Sequence, residues 1–144
     1  MNNMDARTAW EFCQSLAGKH ITDDADLSFM DKPRALEVIE RLNFAVNEKL
    51  TATAGRANYK TYGVEVSGPV FHQTYVIAQI IDTILHEIAH HLAYRVSAES
   101  GHGDKWVYWA ELIGCSAERT HSMPRARKRT KAQEALSLRN TLKL

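Results

Sequence analysis

The chain has 144 residues, 44% of them apolar, enough for one domain with a buried core. Its two cysteines, Cys13 and Cys115, lie far apart and outside any CxxC pair, which argues against a disulfide framework or a thiolate metal site and fits a reducing compartment. The net charge of +1 hides two unlike parts: residues 1–118 carry 10 Lys/Arg against 16 Asp/Glu, whereas residues 119–144 carry 8 against one, Glu134.

No apolar run is long enough to span a bilayer, and MNNMDARTAWEF lacks a basic segment followed by an apolar one. The expectation is a cytoplasmic protein with no membrane partner. In chain order, residues 6–16 read as a first helix carrying Trp10 and Phe12. The acidic loop TDDADLSFMD follows. Asp31 is placed to cap a second helix, with Pro33 in its first turn. Leu36, Ile39, Leu42, Val46 and Leu50 recur at helical spacing, which predicts that this helix runs to residue 50. Residues 51–71 are rich in Thr, Tyr and Val and punctuated by Gly55, Gly63 and Gly68-Pro69; two or three short strands are expected there.

Residues 74–96 predict a long helix. Ile77, Ile80, Ile81, Ile84, Ile88 and Leu92 form an apolar stripe, and Gln79, Thr83, His86, Glu87, His90 and Tyr94 share the opposite face. After the loop SAESGHG, residues 104–115 predict another helix, capped by Asp104, with Trp106, Trp109 and Leu112 for packing.

LHEIAHHLAYRVSAESGHGDKW, residues 85–106, holds four of the seven histidines. His86-Glu87-Ile88-Ala89-His90 is an HExxH motif. Two histidines four apart on a helix stand one turn above each other and reach one zinc ion. Glu87 is placed to take a proton from water at the metal, whose pKa zinc lowers to about 7, and to return it to a leaving amine. A third ligand is needed. His102, flanked by Gly101 and Gly103, is favoured over Glu111, with Asp104 and Glu99 also in range. His91 points about 100° from His90, toward the apolar stripe, and reads as a partly buried histidine held by one hydrogen bond. His72 and His121 read as surface or loop residues.

HEIAHHL at 86–92 and GHGDKW at 101–106 resemble the SprT-like family, the zinc metalloprotease domain shared with Spartan proteases. TAGRANY and VEVSG resemble the short strands before that family's metal helix, and the likeness covers roughly residues 30–118. It implies an α+β, minigluzincin-like fold with helices packed on a short β-sheet and the HExxH on a central helix. It implies His102 as third ligand to one catalytic Zn2+, peptidase chemistry on protein substrates, and, in the Spartan branch, action on proteins crosslinked to DNA. The paired cysteines of a zinc ribbon, common among relatives, are absent from this sequence, which is closer to short bacterial or phage-encoded members; for a phage protein the expected compartment is the host cytoplasm.

The division expected is a metalloprotease domain over 1–118, with its motif core at 74–115, and a basic segment over 119–144. In that segment Arg125, Arg127, Lys128, Arg129 and Lys131 concentrate positive charge suited to DNA phosphates. It has no aromatic residue, so stacking on single strands falls to Trp106 or Tyr108. The alternative to an endopeptidase is a non-enzymatic, zinc-stabilised nucleic-acid-binding or structural protein. Glu87 argues against it, because a closed structural site has no use for a base. Oligomeric state has no signature in the sequence.

Overall fold

The computed structural model describes residues 5–73 and 77–117. Asp5 Oδ1 accepts the Thr8 amide at 2.7 Å and opens helix α1 (Ala6–Asp23). That backbone bond holds the Asp5 carboxyl below the usual carboxylate range. Ala9, Trp10, Cys13, Ala17 and Ile21 continue one buried stripe, so the helix runs past residue 16, its expected end.

The acidic loop ends at Ser28, whose Oγ and carbonyl accept the Asp31 and Lys32 amides, each at 3.0 Å. Ser28 therefore supplies the capping oxygens expected of Asp31, and Asp31 is the first residue of α2 (Asp31–Arg41). The helix stops there instead of at residue 50. Leu42 is extended, and Asn43–Asn47 is strand β1. A four-residue apolar spacing is one helical turn but also two strand periods, and the strand prevails. Phe44 and Val46, two apart, pack on the core, and Trp10 stacks on Phe44 at 5.3 Å.

Strand β2 (Gly55–Asn58) and strand β3 (Gly63–Ser67) complete a mixed sheet of order β1-β3-β2. β3 runs parallel to β1, with Val46 opposite Val66, and antiparallel to β2, with Arg56 opposite Glu65. Glu65 binds both neighbours: Arg56 Nε donates to it at 3.0 Å and Asn47 Nδ2 at 2.7 Å. The Arg56 bond is the main reason its carboxyl lies below the usual range. The expected strand region ends early, because Ser67 Oγ accepts the Val70 amide at 3.1 Å and starts the short helix α3 (Gly68–Gln73).

Helix α4 (Ile77–Ser97) is the centre of the α+β architecture. α1, α2, β2, β3 and the last described helix, α5 (Asp104–Ile113), all contact it. Its expected polar face is not open: Thr83, His86 and Glu87 are as buried as Ile80, Ile84, Ile88 and Leu92 on the other side. A helix covered all round belongs in the middle of a domain. β2 lies close against it at Gly55, where an added Cβ would stand 2.9 Å from the Glu65 carbonyl oxygen, 3.0 Å from Thr83 Cγ2 and 3.3 Å from Glu87 Cγ. Among the described residues, no helix is long and apolar enough to cross a membrane.

Two glycines give opposite expectations. Gly18 lies inside α1, and a Cβ there meets nothing within 4 Å. Gly18→Ala should stabilise the fold by about 0.5–1 kcal/mol through lower chain entropy in the unfolded state. Gly55→Ala forces a methyl group between backbone and helix and should cost about 1–3 kcal/mol. Urea unfolding of the two variants beside the parent checks both signs.

Candidate metal centre

One turn of α4 aligns His86 and His90. The segment between α4 and α5 then returns His102 to them. His102 Nε2 lies 3.0 Å from His86 Nε2 and 2.9 Å from His90 Nε2. The three ligand atoms form the one such cluster found among the described residues. Neutral imidazoles meeting nitrogen to nitrogen present lone pairs to a common point, and a cation is what such a set accommodates. Nitrogens about 2.0–2.1 Å from a tetrahedral zinc stand about 3.3 Å apart, a few tenths of an ångström wider than seen here. The donor set, three converging imidazoles, fits a zinc ion. His86 is 3% exposed, whereas His90 and His102 are partly exposed, so the cluster opens on their side.

The return loop depends on Glu99. Its amide bonds the Ala93 carbonyl at 3.0 Å, and its Oε1 accepts the Lys105 and Trp106 amides at 2.9 and 3.2 Å. Glu99 thus does the capping of α5 expected of Asp104, which is the exposed first residue of that helix. Gly101 adopts φ +84°, and a Cβ on Gly103 would come within 2.8 Å of the Glu99 carboxylate. Both positions therefore favour glycine. Glu99, Asp104 and Glu111 all lie outside the histidine cluster.

Glu87 is 2% exposed and lies under Gly55 of β2. Tyr59, in the turn after β2, feels its charge. Partial burial first, and Glu87 second, push the Tyr59 phenol above its ordinary range. Tyr59 stacks on Tyr94 with ring centres 4.1 Å apart. His91 is fully buried and faces away, its Nε2 2.7 Å from the Gly63 carbonyl oxygen.

Trp106, expected to pack, backs the metal cluster. Its ring centre lies 4.6, 5.6 and 4.7 Å from those of His86, His90 and His102, and its indole N–H donates to the His86 carbonyl at 3.2 Å. It is fully buried, which removes it as a platform for nucleic-acid bases. Tyr108 is 45% exposed; its phenol is raised first by partial burial and then by Asp24, Asp31 and Asp26, three carboxylates that would oppose a nucleic-acid strand there. The side chains of His72 and His121, and the basic cluster Arg125, Arg127, Lys128, Arg129 and Lys131, lie outside the described residues.

A family model described as the SprT-like family matches residues 19–130. No curated protein and no solved structure gave a significant match. The match spans most of the chain and takes in the metal helix, the return loop and the sheet before them; the protein belongs to the SprT-like family.

Proposed function

We propose that this protein is a zinc-dependent endopeptidase, with the peptidase domain in residues 1–118 and a DNA-contacting segment in residues 119–144. The observation that carries the reading is the convergence of His86, His90 and His102 beside a buried Glu87. His86, His90 and His102 would hold a zinc ion, which would supply Lewis acidity, lowering the pKa of water to about 7 and polarising a scissile carbonyl. Glu87 takes the proton from the attacking water as the new C–O bond forms. It then delivers that proton to the amine nitrogen as the C–N bond breaks. Trp106 holds the His86 backbone and packs against all three rings, which keeps the ligands oriented. Tyr59 remains a neutral phenol near Glu87.

Cleavage of a DNA-binding protein by the zinc-loaded chain tests the chemistry. Glu87→Gln should keep one zinc per chain and lose about 10²- to 10⁴-fold in rate. Equal rates would place the base elsewhere. No cleavage of several substrates by either protein would leave a zinc-stabilised binding protein. Independently, a chelator should lower the melting temperature and zinc should restore it, by about 2.7 kcal/mol of stability at a hundredfold excess over Kd. His102→Ala should abolish most of that response.

For DNA, the support is the charge of Arg125, Arg127, Lys128, Arg129 and Lys131. If all five meet phosphates of a single strand, log K against log salt should have a slope of about −3.5. Changing the five to Gln should remove most of it. An unchanged slope, read by fluorescence anisotropy, would move DNA contact elsewhere.

A further inference from the structure

The loop between α1 and α2 is tied down from within. Asp24 Oδ1 accepts the Asp26 and Leu27 amides at 2.9 and 2.8 Å, and Leu27 is buried. Lys32 Nζ donates to the Thr22 and Asp24 carbonyls at 3.0 and 2.7 Å. Yet this anchored loop holds its two largest apolar side chains in solvent, Phe29 87% and Met30 62% exposed. Half-exposed Tyr108 of α5 stands beside them. Asp24, Asp31 and Asp26, which bracket Phe29 and Met30, are near enough to add to partial burial in raising its phenol. Three of the five exposed large hydrophobics among the described residues thus share one face. Exposed apolar groups gathered inside a polar rim mark an interaction surface.

The rim is acidic. Asp24, Asp26 and Asp31 have no ion pair among the described residues. The nearest cation in sequence, Lys32, is turned onto the two backbone carbonyls at the base of the loop. Three carboxylates against one ammonium leave the face negative. Its occupant therefore needs cations and apolar groups in one piece.

This chain carries such a piece: Arg125, Arg127, Lys128, Arg129 and Lys131, followed by Leu136 and Leu138. The last described residues fix where it departs. Cys115 Sγ donates to the Asp82 carbonyl and Cys13 Sγ to the Ile81 carbonyl, each at 3.7 Å. The Ser116 amide and hydroxyl both bond the Asp82 carboxylate at 2.8 Å. The chain therefore leaves α4 level with Cys13 of α1, about 16 Å along that helix from Asp24. From Ala117 to Arg125 an extended backbone spans up to about 26 Å, so the cations reach the loop with slack. A covalently joined segment also acts at an effective concentration on the order of millimolar, which favours it over a separate basic protein. We infer that the Phe29–Met30–Tyr108 face docks the basic segment of this same chain. Its cations lie on Asp24, Asp26 and Asp31, and its leucines lie on the apolar groups. Phosphates of DNA would compete with this face for the same cations, so DNA frees the segment. That competition rests on the DNA reading proposed above; the docking does not.

The test uses the zinc-loaded full chain with a nitroxide on one introduced cysteine, Thr130→Cys. Cys13 and Cys115 are buried and their thiols are pushed up to about 12, so the label goes to the new site. At low salt the nitroxide should quench the NMR amide signals of Asp26, Phe29, Met30 and Tyr108, and about 0.5 M salt should restore them. Asp26 and Phe29 are exposed and Asp31 partly so. Phe29→Ser combined with Asp26→Asn and Asp31→Asn should therefore fold and keep its zinc, yet lose the quenching. Changing the five cations to Gln should lose it as well. An unquenched loop in the parent would leave the face to a separate basic partner and overturn the proposal. Equal quenching in parent and triple variant would overturn it too. So would quenching seen only between a nitroxide-bearing molecule and a separate isotope-labelled one, which would make a second copy the occupant. Single-stranded DNA should restore the loop signals. Quenching that DNA leaves in place would support the docking and count against the DNA reading, so the two fail separately.

Discussion

The structure depends on how α4 carries polar groups through the core. A buried donor or acceptor without a partner costs on the order of 1–3 kcal/mol, more for a charge, so each such group on a central helix constrains its neighbours. His91 is the clearest case. Burial holds its pKa below the ordinary histidine range, against the opposing pull of its bond to the Gly63 carbonyl. It is therefore neutral at pH 7, and its one bond ties α4 to the first residue of β3. Trp106 ties the other side, its N–H on the His86 carbonyl. Arg95 ties the end of the helix to the Tyr59 carbonyl. Sheet, turn and α5 are thus fastened to one helix within three turns, the same turns that carry the metal ligands.

The second motif is built with the same economy. Glu99 caps α5 at Trp106, and the Trp106 ring packs on all three histidines. The residue that starts the helix and the residue that backs the cluster are joined by one hydrogen bond. His102, between them in sequence, inherits its position from that bond and from two glycines that let the loop fold on itself. A carboxylate engaged in capping is poorly placed to ligate, which is the physical reason Glu99 lies outside the cluster despite its proximity in sequence.

Much of this was legible because it rests on local periodicity. HExxH on a helix needs only spacing to be read; spacing left Glu111 as a rival to the glycine-flanked His102, and the paired motifs, which carried the family, favoured His102. What escaped depends on contacts distant in sequence. β1 hides in a four-residue spacing that suits two kinds of structure, and only pairing with β3 decides between them. Ser28 and Glu99 cap helices that begin three to five residues later, beyond the position where a cap is ordinarily sought. Gly55 reads as punctuation in the sequence, whereas its role is set by Thr83 and Glu87 about thirty residues on. Tyr59 and Tyr62 acquire meaning only when the turn brings them to α4.

The same helix explains where a cavity of about 520 Å³ opens, between α2, the turn before β3 and the end of α4. Along Thr83–Ala93, α4 is buried on nearly every side, with His90 the partly exposed exception on the metal face. Its last turn is different. Tyr94 is 43% exposed, and Arg95 and Val96 are partly so. Consecutive residues of a helix point about 100° apart, so where His90 and His91 divide metal from core, Tyr94 and Arg95 divide the metal side from the cavity. Tyr94 stacks on Tyr59 near Glu87 while also walling the cavity, and Arg95 bonds Tyr59 while lying on Tyr62. The turn that holds Tyr59 and Tyr62 therefore serves both faces. Its left-handed residue is the one that sets the Tyr62 ring against Arg95, so relaxing that backbone would release the guanidinium as well.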